Sequence, residues 1–112
     1  MNNETRTALC GASAYDCKYY VNEQFSGLPP AVLKELRILC TLFTEEVGGV
    51  FTVWFESDGS VSLETEHEEN DIYYDEVTSG LMVREVRSKR GELFAALETY
   101  YKVFVKGKKL CS

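Results

Sequence analysis

The apolar pattern of residues 31–49, AVLKELRILCTLFTEEVGG, limits the possible folds of this chain more than any other feature. Apolar side chains recur at steps of three and four residues, which places them on one wide stripe of an α-helix. The stripe consists of Val32, Leu33, Leu36, Leu39, Cys40, Phe43 and Val47. Ile38 and Leu42 lie outside it, which predicts cover on a second side of the helix. Pro30 suits the first turn, and the closing glycine pair predicts the end, because glycine tolerates the left-handed cap.

The next stretch, VFTVWFESDGSVSLETE, predicts a β-hairpin whose register follows from burial. A two-residue turn at the Asp-Gly dipeptide would place apolar side chains opposite polar ones. A three-residue loop over 57–59 instead pairs Phe55 with Val61 and Val53 with Leu63. We therefore expect this second register. Its apolar face, predicted to pack on Leu36, Leu39 and Phe43, collects Phe51, Val53, Phe55, Val61, Leu63 and Thr65.

Both ends of the chain predict further helices. Residues 13–25, SAYDCKYYVNEQF, predict a short N-terminal helix, because Ser13 can cap it and Asp16 follows three residues later, as in a capping box. Apolar side chains over residues 82–104 keep a helical phase across Gly91. Glycine weakens a helix interior, so this region predicts either one long helix or two helices broken there.

The expected fold is a single α+β domain over residues 1–112, since 112 residues suit one hydrophobic core. The predicted order is a short N-terminal helix, a long core helix, a β-hairpin, and one long or two C-terminal helices. Residues 1–9 and 107–112 are polar ends that we expect to be loose.

The charge balance excludes two classes of partner. Twelve basic and eighteen acidic residues give a formal net charge of −6. General nucleic-acid binding requires a basic surface, and so does attraction to an anionic membrane surface. No apolar run has the length of a membrane span, and the start lacks the pattern of a secretory signal. These features predict a cytoplasmic protein whose four cysteines are reduced.

Residues 64–76, ETEHEENDIYYDE, hold seven of the acidic residues and the only histidine. Hard cations need oxygen ligands that converge from a tight loop, and this segment lacks the glycine and the spacing of a calcium loop. On an extended chain, His67 also points away from Glu64 and Glu66. We therefore predict no metal, no cofactor and no enzymatic activity. The open alternative is a metal-dependent or acid–base enzyme that uses His67 with acids of this segment, such as Glu68 or Asp71.

The cysteines lack a local catalytic signature. Cys40 lies on the apolar stripe and is predicted to be an inert core residue. Cys10 and Cys17 flank a predicted cap, and Cys10 could be exposed. A thiol redox sensor that uses Cys10 and Cys17 is the second open alternative.

Aromatic residues give the preferred hypothesis of function. Trp54 falls on the mostly polar face of the predicted hairpin, which therefore needs cover by a helix or by a partner. Tyrosine and tryptophan are enriched in binding hot spots. The candidate partner-binding residues are Trp54, Tyr20, Tyr74, Glu64 and Glu66. The predicted function is a non-enzymatic protein-binding or regulatory module. It could be a homodimer, because edge pairing of two hairpins would make a four-stranded sheet.

Three stretches carry a resemblance to a known family: LCGASAYDCKYY, LFTEEVGG and ELFAALETYYKVF. They resemble a domain of unknown function found in small uncharacterised proteins of anaerobic Gram-positive gut bacteria, and the resemblance covers residues 9–104. It implies a cytosolic bacterial protein, and it implies no activity and no catalytic residues. A weaker likeness, of layout only, is to small bacterial immunity proteins.

Overall fold

The computed structural model describes residues 6–106, and the side chains of residues 6–104. Four strands form one antiparallel sheet in the order β2-β1-β3-β4. The strands are β1 (Thr7–Ser13), β2 (Lys18–Val21), β3 (Val50–Phe55) and β4 (Val61–Glu66). The helices are α1 (Pro30–Val47), α2 (Glu76–Lys89) and α3 (Gly91–Tyr100), with a 3-10 turn at Glu23–Phe25 and a π-helical turn at Tyr101–Lys106. The helices pack on one face of the sheet, so the molecule has two layers.

The chain is α+β, but the helix-first layout is wrong, because the expected N-terminal helix is a strand, a turn and a second strand. Ser13 does accept a hydrogen bond from the Asp16 amide, at 3.3 Å. This contact stabilises a tight turn instead of a helix start, because Cys17 adopts the left-handed conformation with a φ of 52°. The chain then reverses, and Lys18 pairs with Ser13 across the two strands.

Strand β1 occupies the middle of the sheet, between β2 and β3. Residues 7–9, expected to be loose, are part of it, and Leu9 is fully buried. The pairing with β3 shifts between Ala8 and Cys10, so Leu9 is the extra residue of a β-bulge. The other residues that were expected to be loose include 1–5 and 107–112. These residues lie outside the described part of the chain.

The stripe and the end of the core helix and the register of the hairpin confirm their predictions. The expected cover over Ile38 and Leu42 is wrong for the described residues, because these side chains are 39% and 48% exposed. Helix α1 ends at Val47, and Gly48 follows with a φ of 90°. In the hairpin, Phe55 pairs with Val61 in the register that burial favours. Gly59 of the loop has a φ of 89°, as a left-handed turn residue requires.

One hydrophobic core lies between the sheet and the helices. The rings of Phe43 and Phe51 stack with centroids 4.3 Å apart, which joins α1 to the hairpin as expected. Phe55 contacts Phe25 at 5.2 Å and Tyr101 at 4.9 Å. The C-terminal region forms two helices separated by Arg90. No helix within residues 6–106 is long and apolar enough to cross a membrane.

Candidate binding surface

The face of the sheet opposite the helices, called here the outer face, brings together most of the candidate residues. The strand pairing assigns to it Ala8, Gly11, Ser13, Lys18, Tyr20, Val50, Thr52, Trp54, Ser62, Glu64 and Glu66. Trp54 lies opposite Ser62, and Glu64 lies opposite Thr52. Tyr20 is the β2 neighbour of Gly11. Four of the five predicted partner-binding residues therefore share one surface, and Tyr74 is outside it.

Trp54 is part of a cluster with Arg6 and Glu64. The indole Nε1 donates a hydrogen bond to Oε1 of Glu64 at 2.8 Å. The Arg6 guanidinium lies 4.0 Å from the Trp54 ring centroid and donates to the same carboxylate oxygen at 2.9 Å. A guanidinium over an indole face is a favourable cation–π contact. Trp54 is only partly exposed because Arg6 covers part of it.

Arg6 was not singled out from the sequence, because the start of the chain is polar and was expected to be loose. Its Nε lies 3.5 Å from Oε2 of Glu56, within ion-pair distance. The geometry is not that of a hydrogen bond, so this buried donor has no hydrogen-bond partner within the described residues. Glu56 instead accepts a short hydrogen bond from the Ser62 hydroxyl. No local sequence signal connects Arg6 with Trp54, since the strand pairing alone brings them together.

Tyr20 extends across Gly11 on the outer face. A Cβ atom at Gly11 would lie 2.8 Å from the Tyr20 hydroxyl oxygen and 2.9 Å from the carbonyl oxygen of Phe51. Only glycine leaves room for the ring to lie flat on the strand. Tyr20 remains 48% exposed. It therefore adds a large and accessible aromatic surface next to the Trp54 cluster.

Tyr74 lies at the end of the sheet, in the connection between β4 and α2. Its ring stacks on His67 with centroids 4.4 Å apart, and its hydroxyl donates to Ser79 at 2.7 Å. The same ring lies over Gly49, where a Cβ atom would come within 2.8 Å of Tyr74 and 2.4 Å of the Glu66 carbonyl oxygen. Tyr74 thus closes the end of the core and does not extend the outer face.

Both ring nitrogens of His67 already have partners. Nδ1 lies 2.9 Å from the carbonyl oxygen of Glu68, and Nε2 lies 3.0 Å from the carboxylate of Glu76. Both partners are acceptors, so only the doubly protonated imidazolium satisfies them together. The Glu68 carbonyl, followed by the Glu76 carboxylate, raises the pKa of His67 above its ordinary value. A histidine held this way has no free nitrogen for a metal or for proton transfer to a substrate.

The acidic segment is divided among separate structural contacts. Asp71 accepts a hydrogen bond from the Tyr15 hydroxyl at 2.6 Å, and this bond lowers the pKa of the Asp71 carboxyl. Asp75 caps α2 by accepting from the Val77 amide at 3.0 Å. Within residues 6–106, no three histidine, cysteine or acidic side chains are grouped as a metal site would require. The geometry therefore offers no support for the metal-dependent alternative.

The redox hypothesis pairs Cys10 with Cys17, but the structure brings Cys10 next to Cys40 instead. The sulfur of Cys10 lies 3.8 Å from that of Cys40, and both side chains are buried between β1 and α1. Contact with Cys10, together with burial, raises the pKa of the Cys40 thiol. Cys17 is exposed in the turn between β1 and β2. The raised pKa disfavours thiolate chemistry at Cys40, and exclusion from solvent disfavours it at both thiols of the pair.

A groove of about 640 Å³ lies between α1 and the junction of α2 with α3. Its floor includes Leu39 and Val86, and its rim is charged. Arg90 and Glu35 face each other at 3.6 Å on that rim. The groove combines an apolar floor with an ion pair.

Comparison with known proteins gives one match. Residues 6–109 match the model of a family described as "Family of unknown function (DUF6145)". Neither the curated proteins nor the solved structures contain a match to this chain. The family match confirms the resemblance to a domain of unknown function, while the origin in gut bacteria stays a prediction.

Proposed function

Because the chain belongs to DUF6145, a family of unknown function, we infer its role from its own surface. We propose that it is a non-enzymatic protein-binding module that engages its partner through the outer face. The single observation that carries this proposal is the cluster of Trp54, Arg6 and Glu64 on a sheet face that none of the described helices covers.

The composition of the outer face favours binding over a purely structural role. The water-facing side of an antiparallel sheet is normally polar. Here it carries Trp54 and the half-exposed ring of Tyr20, the residue types that dominate protein-binding hot spots. A sheet face also offers a broad surface instead of an enclosed cavity, and a broad surface fits a folded protein or an extended segment better than a small molecule.

The charges on the outer face favour a partner with basic groups. Glu64 already has Arg6 as its counterion, at 2.9 Å. Glu66 is exposed at the end of β4, and no ion pair joins it to another described residue. An Arg- or Lys-bearing surface therefore suits the outer face.

The test is capture of partners from the native cytosol with matched baits. Wild-type protein, Trp54→Ala and Tyr20→Ala are immobilised at equal density, with Phe104→Ala as a control that removes an exposed ring elsewhere. We expect the proteins retained by the wild type to be retained by Phe104→Ala and to be reduced at least roughly tenfold by Trp54→Ala, as for a binding hot spot. Equal retention by wild type and by both outer-face variants would refute the proposal.

A purified partner allows a direct measurement. Trp54 is the only tryptophan, so its fluorescence reports on the outer face alone. We expect saturable changes in emission on titration, and protection of Trp54 from an added quencher. Unchanged quenching at saturation would place the contact elsewhere.

The proposal places this module in a cytosol. The sulfur atoms of Cys10 and Cys40 lie in contact without a covalent bond. Thiols in such close contact suit a reducing compartment.

A further inference from the structure

The thiols of Cys10 and Cys40 form a buried pair between the two layers of the fold. Cys10 lies on β1, Cys40 lies on α1, and their sulfur atoms are 3.8 Å apart. Both side chains are fully buried, although the two residues are 30 positions apart in the sequence. Sulfur atoms in van der Waals contact need only small side-chain rotations to reach bonding distance. The fold therefore brings together two groups that a disulfide can join.

Tyr19 connects this thiol pair with the surface. Its ring packs against the hydrophobic core. Its hydroxyl lies near both sulfurs, and burial, together with the Cys10 and Cys40 thiols, raises the pKa of that hydroxyl. The same residue lines a surface depression of about 430 Å³, as do Cys17 and Arg37. The Arg37 guanidinium lies 5.9 Å from the centroid of the Tyr19 ring. Tyr19 thus borders the thiols and also a depression that is open to solvent.

Contact between the two sulfurs favours one kind of chemistry over others. A hydroperoxide oxidises a thiol to a sulfenic acid, and a sulfenic acid condenses with a second thiol to a disulfide. The second step is intramolecular here, so it is fast compared with attack by a thiol from solution. The first step is slow, because both thiols are excluded from solvent and the pKa of the Cys40 thiol is raised. The pair therefore suits a response to sustained oxidation and not to a brief exposure.

We propose that Cys10 and Cys40 form a redox site that hydrogen peroxide converts to a disulfide between β1 and α1. In the first step, one sulfur attacks the peroxide. An S–O bond forms, the O–O bond breaks, and the thiol proton leaves with the released hydroxide as water. In the second step, the other sulfur attacks the sulfenic sulfur. The S–S bond forms, the S–O bond breaks, and the hydroxyl group leaves with the second thiol proton as water. The two sulfurs lose two electrons in total, and the peroxide gains them.

The disulfide would fix the sheet to its covering helix. It would close the chain between residues 10 and 40, which lie in different layers. Complete unfolding could then no longer separate β1 from α1, and a crosslink of this kind restricts the unfolded chain. We therefore expect the oxidised protein to melt at a higher temperature than the reduced protein. The inference concerns the inner side of the sheet and does not rest on the proposed function.

The test uses the double variant Cys17→Ser, Cys111→Ser, which keeps the core intact and leaves only the buried pair. The folded protein is exposed to hydrogen peroxide at low concentration of chain, quenched with catalase, denatured and analysed by thiol counting and mass spectrometry. We expect both thiols to disappear together with two hydrogen atoms of mass. Trypsin should then release residues 7–18 linked to residues 38–84. Retention of both thiols after prolonged exposure, a gain of oxygen atoms without the link, or links between chains would overturn the proposal.

Thermal melting tests the consequence of the disulfide. The oxidised and reduced forms of the same double variant are compared in the same buffer. The oxidised form should have the higher Tm, and the difference should vanish when a dithiol reductant is added to the unfolded chain. A Tm equal to or below that of the reduced form would overturn the proposal that the disulfide fixes β1 to α1.

Tyr19→Ala, made in the same background, tests the route to the pair. Hydrogen peroxide is little larger than water, so it needs only a turn of the Tyr19 ring, whereas a bulky reagent needs the layers to separate. Without the ring, we expect the oxidation to be roughly tenfold faster, because local opening no longer limits it. Tyr73→Ala is the control, since it removes a ring that is 88% exposed elsewhere. Equal oxidation rates for the two variants would overturn the route through the depression.

Discussion

At the scale of single residues, His67 gives the clearest dependence on pH. Its two ring nitrogens face a carbonyl oxygen and a carboxylate, so folding favours the imidazolium and raises the pKa above the ordinary 6.5. A group whose pKa is raised by folding stabilises the protein fully below its unfolded pKa. We therefore expect this contribution to be complete below pH 6.5 and to be lost as the pH rises through the raised value.

The His67 prediction is measured directly by proton NMR, because a single histidine gives a single imidazole titration. His67→Phe is the companion variant, since it keeps a ring against Tyr74 and removes the proton. The free energy of unfolding of the wild type should fall relative to this variant between acidic and alkaline pH. A measured pKa at or below 6.5, or parallel pH profiles for both proteins, would contradict the prediction.

The sequence predicted part of the environment of His67. Glu64 lies on the outer face, whereas His67 follows the end of β4 and contacts Glu76 instead. The sequence could not predict the stack on Tyr74 or the contact with Glu76, because both depend on how the connection between β4 and α2 folds back. The role of Arg6 was missed for the same reason, since its partners lie far away in the sequence.

At the scale of elements, strand β1 depends on the absence of a side chain at Gly11. Gly11→Ala places a methyl group within 3 Å of both the Tyr20 hydroxyl and the Phe51 carbonyl oxygen. The ring can turn away, but the backbone of β3 cannot, so the sheet has to shift. We expect a loss of about 1–3 kcal/mol in the free energy of unfolding, as for an overpacked site, measured by urea denaturation.

Gly91→Ala is the matched control for Gly11→Ala. Gly91 begins α3, and nothing lies within 4 Å of a Cβ atom placed there. Alanine favours the helix and should leave stability unchanged or raise it by up to about 1 kcal/mol. Equal effects of the two substitutions would show that β1 and β3 do not approach as closely as described.

The elements differ in how well the sequence predicts them, for a physical reason. Helix α1 and the hairpin carry periodic burial on one face, which is visible in the sequence. Residues 9–13 of strand β1 are all buried, on the inner and the outer side alike, so its sequence, TALCGAS, shows no alternation. The hydrogen bond of Ser13 then serves equally well in a helix cap and in a turn. The left-handed Cys17, which decides between them, has no signal in its residue type.

At the scale of the whole molecule, the thiols of Cys10 and Cys40 should report on global unfolding. They are 1% and 0% exposed between the two layers, whereas Cys17 is exposed. A thiol reagent should therefore modify Cys17 rapidly. The buried pair should react slower by a factor of about 1,000 or more, since its exposure requires separation of the sheet from α1.

The thiol measurement uses a Cys111→Ser background, because Cys111 lies outside the described residues. Absorbance of the released chromophore should correspond to one thiol per folded chain and to three in denaturant. Replacing Cys17 by serine should remove the fast phase. Rapid modification of two or three thiols in the folded protein would disprove the burial of the pair, and it would revive the redox hypothesis for Cys10.

The α+β class of the fold was predictable from the sequence, but the order of its strands and helices along the chain was not. The amount of apolar periodicity indicated a layer of helices on a small sheet, which the structure has. The number of strands was underestimated, because β1 and β2 pair with each other and with β3 through contacts that local patterns do not encode. Consequently the sequence placed Trp54 on a two-stranded surface, whereas it lies on a four-stranded one.

The central position of β1 makes the amino-terminal segment a point of vulnerability to proteolysis. This strand, the first of those described, separates β2 from β3 in the sheet. Cleavage after Ser13 would remove the partner of β3 and leave its backbone groups unpaired along the hydrophobic core. A strand exposed in that way is a template for aggregation. Proteolysis that removes β1 would therefore cost the protein its whole domain, and not merely a tail.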